Sequence, residues 1–149
     1  MKGQTLLEVL VALGAAAIIV ATIASVVLSS LNNTQFSKNS NLATQYGTEG
    51  IEIVRQIRDQ NYVTLATLYG STYCLNKNAT ALTVGCAIPN VDNFYRTVTI
   101  NCKCGGDPDI QKVAVTVAWT DNKCPNATSY CHSSVIVGCF STVNAAIKP

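Results

Sequence analysis

The stretch that decides the fold is Met-Lys-Gly-Gln-Thr-Leu-Leu-Glu-Val-Leu-Val-Ala-Leu, residues 1–13, which opens a long apolar run. Glu8 is the last charged side chain before Lys38, and the span from Leu6 to Leu31 consists mainly of Leu, Val, Ile and Ala. As a helix this span would be roughly 39 Å long, enough to cross a hydrocarbon core of about 30 Å. A carboxylate at the start of such a segment is unfavourable without a polar partner, so we expect Glu8 to have one.

Three interpretations of this segment compete. A cleaved secretory signal has an apolar region of about 7–15 residues, which is shorter than this one. A plain signal anchor fits the length but leaves Glu8 unexplained. The third interpretation, a processed amino terminus, depends on Gly3 and is developed below. Because Lys2 and the amino terminus precede the apolar span, positive-inside bias predicts that they stay in the cytoplasm and that residues 32–149 lie outside.

Length, charge and cysteine content limit the remaining possibilities. A chain of 149 residues predicts one domain, and a net charge of +2 is too small and too scattered to indicate nucleic-acid binding. The cysteines cluster in the second half of the chain, as expected for disulfides in an exported domain. They are Cys74, Cys86, Cys102, Cys104, Cys124, Cys131 and Cys139.

Spacing alone does not determine how these seven cysteines pair. Two pairs would close compact loops, Cys74 with Cys86 and Cys124 with Cys131. Cys102 and Cys139 share the parity of inward-facing strand positions, so we expect one of them to be buried and free. The odd number leaves at least one thiol free or bonded to another chain.

The helical pattern continues past the apolar span. Apolar and small residues recur at spacings of three, four and seven, which is one face of an amphipathic helix. They are Phe36, Ala43, Tyr46, Gly50, Val54 and Ile57. We predict one helix from about Thr5 to about Asn61, weakened at Gly14, Gly47 and Gly50 by about 1 kcal/mol each relative to alanine.

Alternation with a period of two predicts an antiparallel sheet after the helix. Strands are expected at residues 94–102, 112–120 and 132–141, with one or two weak strands around 80–86. The turns would be residues 105–109 and 121–130. The predicted fold is α+β, a long helix whose second half packs on a C-terminal antiparallel meander.

Neither catalytic nor metal-binding chemistry is predicted, and no cofactor is expected. His132 follows Cys131, but adjacent strand residues point to opposite faces. The Cys102-Lys103-Cys104 stretch lacks the further ligands of a zinc site, which favours disulfides. Asp107 and Asp109 flank a proline in a glycine-rich stretch, which favours a turn over a calcium site.

The residues Gly3, Gln4, Thr5-Leu6-Leu7 and Glu8 together resemble the prepilin signature of type IV pilins and type II secretion pseudopilins. The stretch from Thr5 to Leu13 is most similar to minor pilins. The resemblance implies cleavage between Gly3 and Gln4, N-methylation of the new first residue, and a pilin-like fold. Gln4 departs from the family, whose first mature residue is usually Phe or Met.

The same resemblance implies an organisation and a role. Residues 1–3 would be a leader, residues 4–31 the membrane-spanning and assembly half of the helix, and residues 32–149 the globular domain with the second half of the helix. Glu8, flanked by Thr5, Leu6 and Leu7, would pair with the Gln4 amine of a neighbouring subunit. Expected partners are other pilin subunits, a prepilin peptidase, the inner-membrane assembly platform and, before assembly, membrane lipid.

We therefore expect a non-enzymatic structural subunit, most similar to a minor pilin of a type IV pilus or related fibre. A type II secretion or competence pseudopilin is the close alternative. A signal-anchored, disulfide-rich surface adhesin that never polymerises is the alternative from a different class.

Overall fold

A computed structural model of the chain describes residues 2–126 and 130–141 and has the predicted α+β architecture. Four antiparallel strands form one sheet in the order β1-β2-β3-β4. The elements are α1 (Lys2–Gln60), α2 (Tyr62–Thr67), β1 (Thr72–Cys74), β2 (Tyr95–Cys104), β3 (Asp107–Trp119) and β4 (His132–Phe140). Two compact units divide the chain, Met1–Lys38 and Asn39–Pro149.

The long helix α1 runs without interruption for 59 residues. Its predicted limits, Thr5 and Asn61, differ from the observed ones by three residues at the start and one at the end. No proline precedes Pro89, so nothing in the sequence removes a backbone donor from this helix. The prediction of a single continuous helix is confirmed.

The core of the second unit lies between one face of α1 and one face of the sheet. Ala43, Gly47, Gly50, Ile51 and Val54 are buried, at spacings of three and four residues that place them on one side of the helix. The opposite wall consists of buried valines, isoleucine and tryptophan from the two central strands. These are Val98, Ile100, Val113, Val115, Val117 and Trp119.

Two helical glycines let α1 approach the sheet closely. A Cβ atom added at Gly47 would lie 2.7 Å from Ile136 Cγ1, and one added at Gly50 would lie 2.8 Å from Val115 Cγ1. Both distances are shorter than van der Waals contact. The sequence predicted these glycines as weak points of the helix, whereas the structure places them where the helix touches the sheet.

The hairpin between β2 and β3 is tighter than predicted. Its loop is Gly105-Gly106, with φ values of 65° and 93°, and the flanking residues Cys104 and Asp107 are paired. Positive φ at both central positions is the geometry that favours two glycines in a two-residue hairpin. Asp107 and Asp109, predicted as part of the turn, belong to the beginning of β3.

Cys139 was predicted to lie at an inward-facing position of β4, but the residues of β4 that face inward are the other alternating set. Ile136 pairs with the buried Val115, and directly opposed residues of an antiparallel pair share a face. Ile136 therefore faces α1, whereas Val135, Val137 and Cys139 are exposed on the outer face. The expectation that Cys139 points inward is wrong, because pairing with β3 sets the face.

The segment between α1 and β2 differs from the prediction in detail. No strand forms at residues 80–86, where Thr83 makes an isolated bridge with Cys74. The sheet instead gains the three-residue edge strand β1, which pairs with β2 through Thr72 and Thr99. A strand this short carries too little alternation to be recognised from sequence.

Three disulfides tie the second unit together. Cys74–Cys86 and Cys124–Cys131 are the two pairs that the sequence favoured, and Cys104–Cys139 joins the end of β2 to the end of β4. These pairs use six of the seven cysteines. The seventh is Cys102, whose side chain lies outside the described part of the structure.

We predict that Gly50→Ala destabilises the globular unit. The new methyl group would meet Val115, a fully buried residue of a central strand, and would also lie 3.4 Å from Arg96 Cδ. Overpacking of about 3 kcal/mol exceeds the gain of about 1 kcal/mol in helix propensity, so unfolding should become easier by about 2 kcal/mol.

The measurement is denaturant unfolding of the full chain in detergent, followed by circular dichroism. Gly14→Ala is the matched control, because a Cβ atom at Gly14 has no neighbour within 4 Å. A Gly50→Ala chain as stable as wild type would show that the close approach at this position is unimportant.

Candidate functional site

The first half of α1 carries an exposed apolar surface. Every residue from Thr5 to Gln35 is exposed, and the large apolar side chains between Leu6 and Leu31 have 51% to 68% of their surface accessible. The most apolar 18-residue window of the helix has a mean hydropathy of 2.6. By length and composition, the helix is long and apolar enough to cross a membrane. This surface requires lipid or other apolar helices around it.

Three hydroxyl groups within this apolar half donate to carbonyls of the helix itself. Thr22 Oγ1 donates to the carbonyl of Ile19 at 2.8 Å, Ser25 Oγ donates to that of Thr22 at 2.8 Å, and Thr34 Oγ1 donates to that of Ser30 at 2.9 Å. A segment without water must satisfy its polar groups internally. These side chains are therefore compatible with an apolar environment.

The residues of the predicted assembly motif lie at the beginning of this half. Gly3 and Gln4 are in the first turn of α1, and the Gln4 side chain is outside the described part of the structure. Thr5, Leu6 and Leu7 are exposed. Glu8 is also exposed, one turn further along the helix. The helix thus presents Thr5, Leu6, Leu7 and Glu8 on its surface, at the start of the charge-free segment.

A buried arginine holds the second half of α1 to the sheet. Arg96 of β2 is fully buried, and its guanidinium donates to three backbone carbonyls from Nε, Nη1 and Nη2. The acceptors are Leu75 at 2.9 Å, Tyr46 at 3.0 Å and Asn76 at 2.9 Å. Glu49 Oε2 lies 3.4 Å from Nη1. Burial lowers the pKa of Arg96, and the neighbouring Glu49 opposes this shift.

The side chain of Asn90, in the loop before β2, contacts the backbone of Arg96. The side chain of Asn90 donates to the Arg96 carbonyl at 2.8 Å and accepts from the Arg96 N–H at 2.7 Å. The Arg96 carbonyl also accepts from the Leu75 N–H at 3.4 Å, so the Asn90 amide adds to a backbone contact where the ladder between β1 and β2 ends. The loop before β2 is fixed to the strand through one side chain.

The carboxylate of Asp92 connects this loop to α1. Tyr46 Oη donates to it at 2.6 Å, and Lys77 Nζ donates to it at 2.8 Å. The hydrogen bond from Lys77, with that from Tyr46, holds the pKa of Asp92 below its usual range. Conversely, the bond to Asp92 raises the pKa of both Tyr46 and Lys77.

Ligand-type side chains also meet in the loop between β3 and β4. One potential ligand atom from each of Asp121, Cys124, Cys131 and His132 lies within 4.8 Å of the other three. The argument that Cys131 and His132 point to opposite faces as strand neighbours does not hold, because Cys131 precedes β4, which begins at His132 as predicted, and their ligand atoms lie within 4.8 Å of each other.

Sequence reasoning missed Arg96 although a signal was present. In a strand predicted at residues 94–102, Arg96 lies on the same face as Val98 and Ile100, because residues two apart share a face. A charge on an apolar face indicates a paired or hydrogen-bonded group. The contact between Tyr46 and Asp92 carries no such signal, because the two residues are distant in sequence.

Comparison with known proteins adds no assignment. The chain matches no family model, and no curated protein or solved structure shows significant similarity to it.

We predict that Arg96→Met lowers the free energy of unfolding by about 3 kcal/mol, because buried carbonyls lose their donor and α1 loses its polar attachment to β2. Arg55→Met is the matched control. Arg55 pairs with Glu52 on the solvent side of α1, and such exposed pairs contribute less than about 1 kcal/mol. Equal denaturation midpoints for the two variants would contradict the role of Arg96.

We also predict that Asp92→Asn changes the pH dependence of stability. A carboxyl with a lowered pKa stabilises the fold fully above its unfolded pKa of about 3.9 and loses this contribution as pH falls through the folded value. The wild-type chain should therefore exceed the variant in stability at pH 7, and the difference should shrink below about pH 4.

The measurement is denaturant unfolding of both chains between pH 3 and pH 7. Tyr46→Phe, which removes one of the two donors, should give an intermediate profile. Parallel curves for wild type and Asp92→Asn over this range would show that Asp92 does not contribute in this way.

Proposed function

We propose that the chain is a structural subunit, most similar to a minor pilin, of a type IV pilus or related fibre. The observation that carries the proposal is the exposed apolar half of α1 directly after the motif from Gly3 to Glu8. Its globular unit has its own core and three disulfides. A self-contained domain joined to an uncovered apolar helix suits a subunit that first resides in a membrane and then packs against other helices.

The chemistry of Glu8 favours assembly over simple anchoring. The hydroxyl groups of Thr22, Ser25 and Thr34 donate to carbonyls of their own helix. An ionised carboxylate can only accept, and the N–H groups of a helix interior are already used. Glu8 therefore needs a donor from outside this part of the helix.

Cleavage after Gly3 would create such a donor, the α-amino group of Gln4. Pairing of this amine with Glu8 of a neighbouring subunit would take place in a low-dielectric environment, where an unpaired charge costs several kcal/mol. It would also fix the register of helices whose apolar surfaces could otherwise slide along one another. In this proposal the amino terminus stays inside, and residues 32–149 are outside the membrane.

Two other functions use the same architecture. A type II secretion or competence pseudopilin would be processed and assembled in the same way, within a periplasmic fibre. A signal-anchored adhesin would keep residues 1–3 and remain a monomer in the membrane. Processing separates the adhesin from the other two, and the location of the fibre separates pilus from pseudopilus.

The first experiment tests processing. The full chain is co-expressed with a prepilin peptidase, and its intact mass is measured after purification in detergent. We expect loss of residues 1–3, and we expect Gly3→Ala to prevent that loss. A wild-type chain that stays uncut would reject the pilin proposal and favour the anchored adhesin.

The second experiment tests assembly. Glu8→Ala should be cleaved normally and should enter fibres at least tenfold less efficiently than wild type, a difference of about 1.4 kcal/mol or more per subunit. The control is Glu52→Ala, which removes a carboxylate on the solvent side of the same helix. Fibre incorporation is measured by immunoblotting of sheared fibres. Normal incorporation of Glu8→Ala would contradict the pairing role even if cleavage occurs.

A further inference from the structure

The loop between β3 and β4 brings together four side chains with the ligand atoms that zinc prefers. We call Asp121, Cys124, Cys131 and His132 the loop cluster. Their ligand atoms all lie within 4.8 Å of one another, and His132 Nε2 is 3.0 Å from Asp121 Oδ1. Two sulfurs, one imidazole nitrogen and one carboxylate oxygen make a complete tetrahedral set.

We propose that the loop cluster binds one Zn²⁺ when the Cys124–Cys131 disulfide is reduced. A dithiol reductant supplies two electrons and two protons, which break the S–S bond and give two thiols, while the reductant becomes a cyclic disulfide. Zn²⁺ then binds both sulfurs as thiolates, and two protons are released. The disulfide and the zinc site are alternative states of the same loop.

The backbone geometry is compatible with both states. The Cα atoms of Cys124 and Cys131 are 5.6 Å apart. Zn–S bonds of about 2.3 Å at a tetrahedral angle place two sulfurs roughly 3.8 Å apart, which side-chain rotation can provide from this separation. The same geometry places the nitrogen and oxygen ligands roughly 3.4 Å apart, close to the observed 3.0 Å between His132 and Asp121.

Neighbouring groups hold the ligands in place. Asp121 Oδ1 accepts from the Lys123 N–H at 2.8 Å, and the Cys124 N–H donates to the Asp121 carbonyl at 3.1 Å. The His132 ring lies 5.5 Å from the ring of Trp119, a buried residue at the end of β3. Contacts of this kind fix the orientation of metal ligands before the metal binds.

Charge and access also agree with a metal site. The Asp121 carboxylate already contacts two donors, the Lys123 N–H and His132 Nε2, through Oδ1. Two thiolates and one carboxylate leave a charge of about −1 around Zn²⁺, which the nearby Lys123 offsets. Cys131 is exposed, so a small reductant can reach the disulfide.

The test is a cobalt titration of the full chain in detergent, because Co²⁺ takes tetrahedral zinc sites and is visible by absorption. The chain is reduced with dithiothreitol, which is then removed under nitrogen. We expect one Co²⁺ per chain with thiolate charge-transfer and visible d–d bands, displaced by one equivalent of Zn²⁺. The oxidised chain should give no such bands.

Variants locate the site. Cys124→Ser/Cys131→Ser should abolish the bands, and the matched double variant Cys74→Ser/Cys86→Ser should retain them. His132→Gln should weaken cobalt binding by at least about tenfold, the lower end of what loss of even a supporting residue produces. His132→Gln keeps every cysteine, so its folding can be verified by circular dichroism before reduction.

Three outcomes would overturn the proposal. The first is the absence of tetrahedral cobalt bands in the reduced wild-type chain. The second is equal cobalt binding by the reduced Cys124→Ser/Cys131→Ser variant. The third is unchanged affinity in His132→Gln, which would assign the bands to cysteines elsewhere in the reduced chain.

Discussion

The guanidinium of Arg96 is the interaction on which the globular unit depends. It is fully buried where α1, β2 and the segment after β1 meet, and it donates to a carbonyl of the helix and to two carbonyls of that segment. Apolar packing alone would leave the helix free to shift along the sheet. A planar group with donors in fixed directions specifies one position, because any displacement would leave buried polar groups unpaired.

The glycine at position 50 is a consequence of the same arrangement. A Cβ atom there would lie 2.8 Å from Val115 Cγ1 and 3.4 Å from Arg96 Cδ, so glycine suits the close approach of the helix at which Arg96 donates to the Tyr46 carbonyl. Helix propensity and packing therefore favour different residues here. The local weakness that the sequence indicated is compensated by the tertiary contact.

Periodicity predicted most of the fold because it reflects burial directly. The helix, its buried face at Ala43, Gly50 and Val54, and the faces of β2 and β3 follow from spacings of three, four and two. Periodicity could not assign the face of β4, since alternating sets of apolar residues such as Val135 and Ile136 occur on both sides. Pairing with β3 decided it, and pairing is not a local property of the sequence.

The polar contacts of the site were less accessible from sequence. Arg96 could be recognised from its parity, but its acceptors are backbone carbonyls, which every residue possesses. The loop cluster joins residues on both sides of a turn, and its ligands were masked by the simpler expectation of a disulfide. In both cases the residue types were visible in the sequence, whereas the partners depended on how the loops fold back onto the sheet.

Some polar side chains in the second half of α1 have partners outside the helix, although the hydroxyl groups of Thr44 and Thr48 donate to carbonyls of α1 itself. In the second half, Tyr46 and Glu49 use partners on the sheet and its loops, so changes there alter the stability of the globular unit. In the first half, the hydroxyl groups of Thr22, Ser25 and Thr34 donate to carbonyls of the same helix. Under the proposed function, a change at Glu8 should therefore affect only the association of helices. A loss of globular stability on changing Glu8 would contradict this expectation, because its side chain lies on the exposed apolar half.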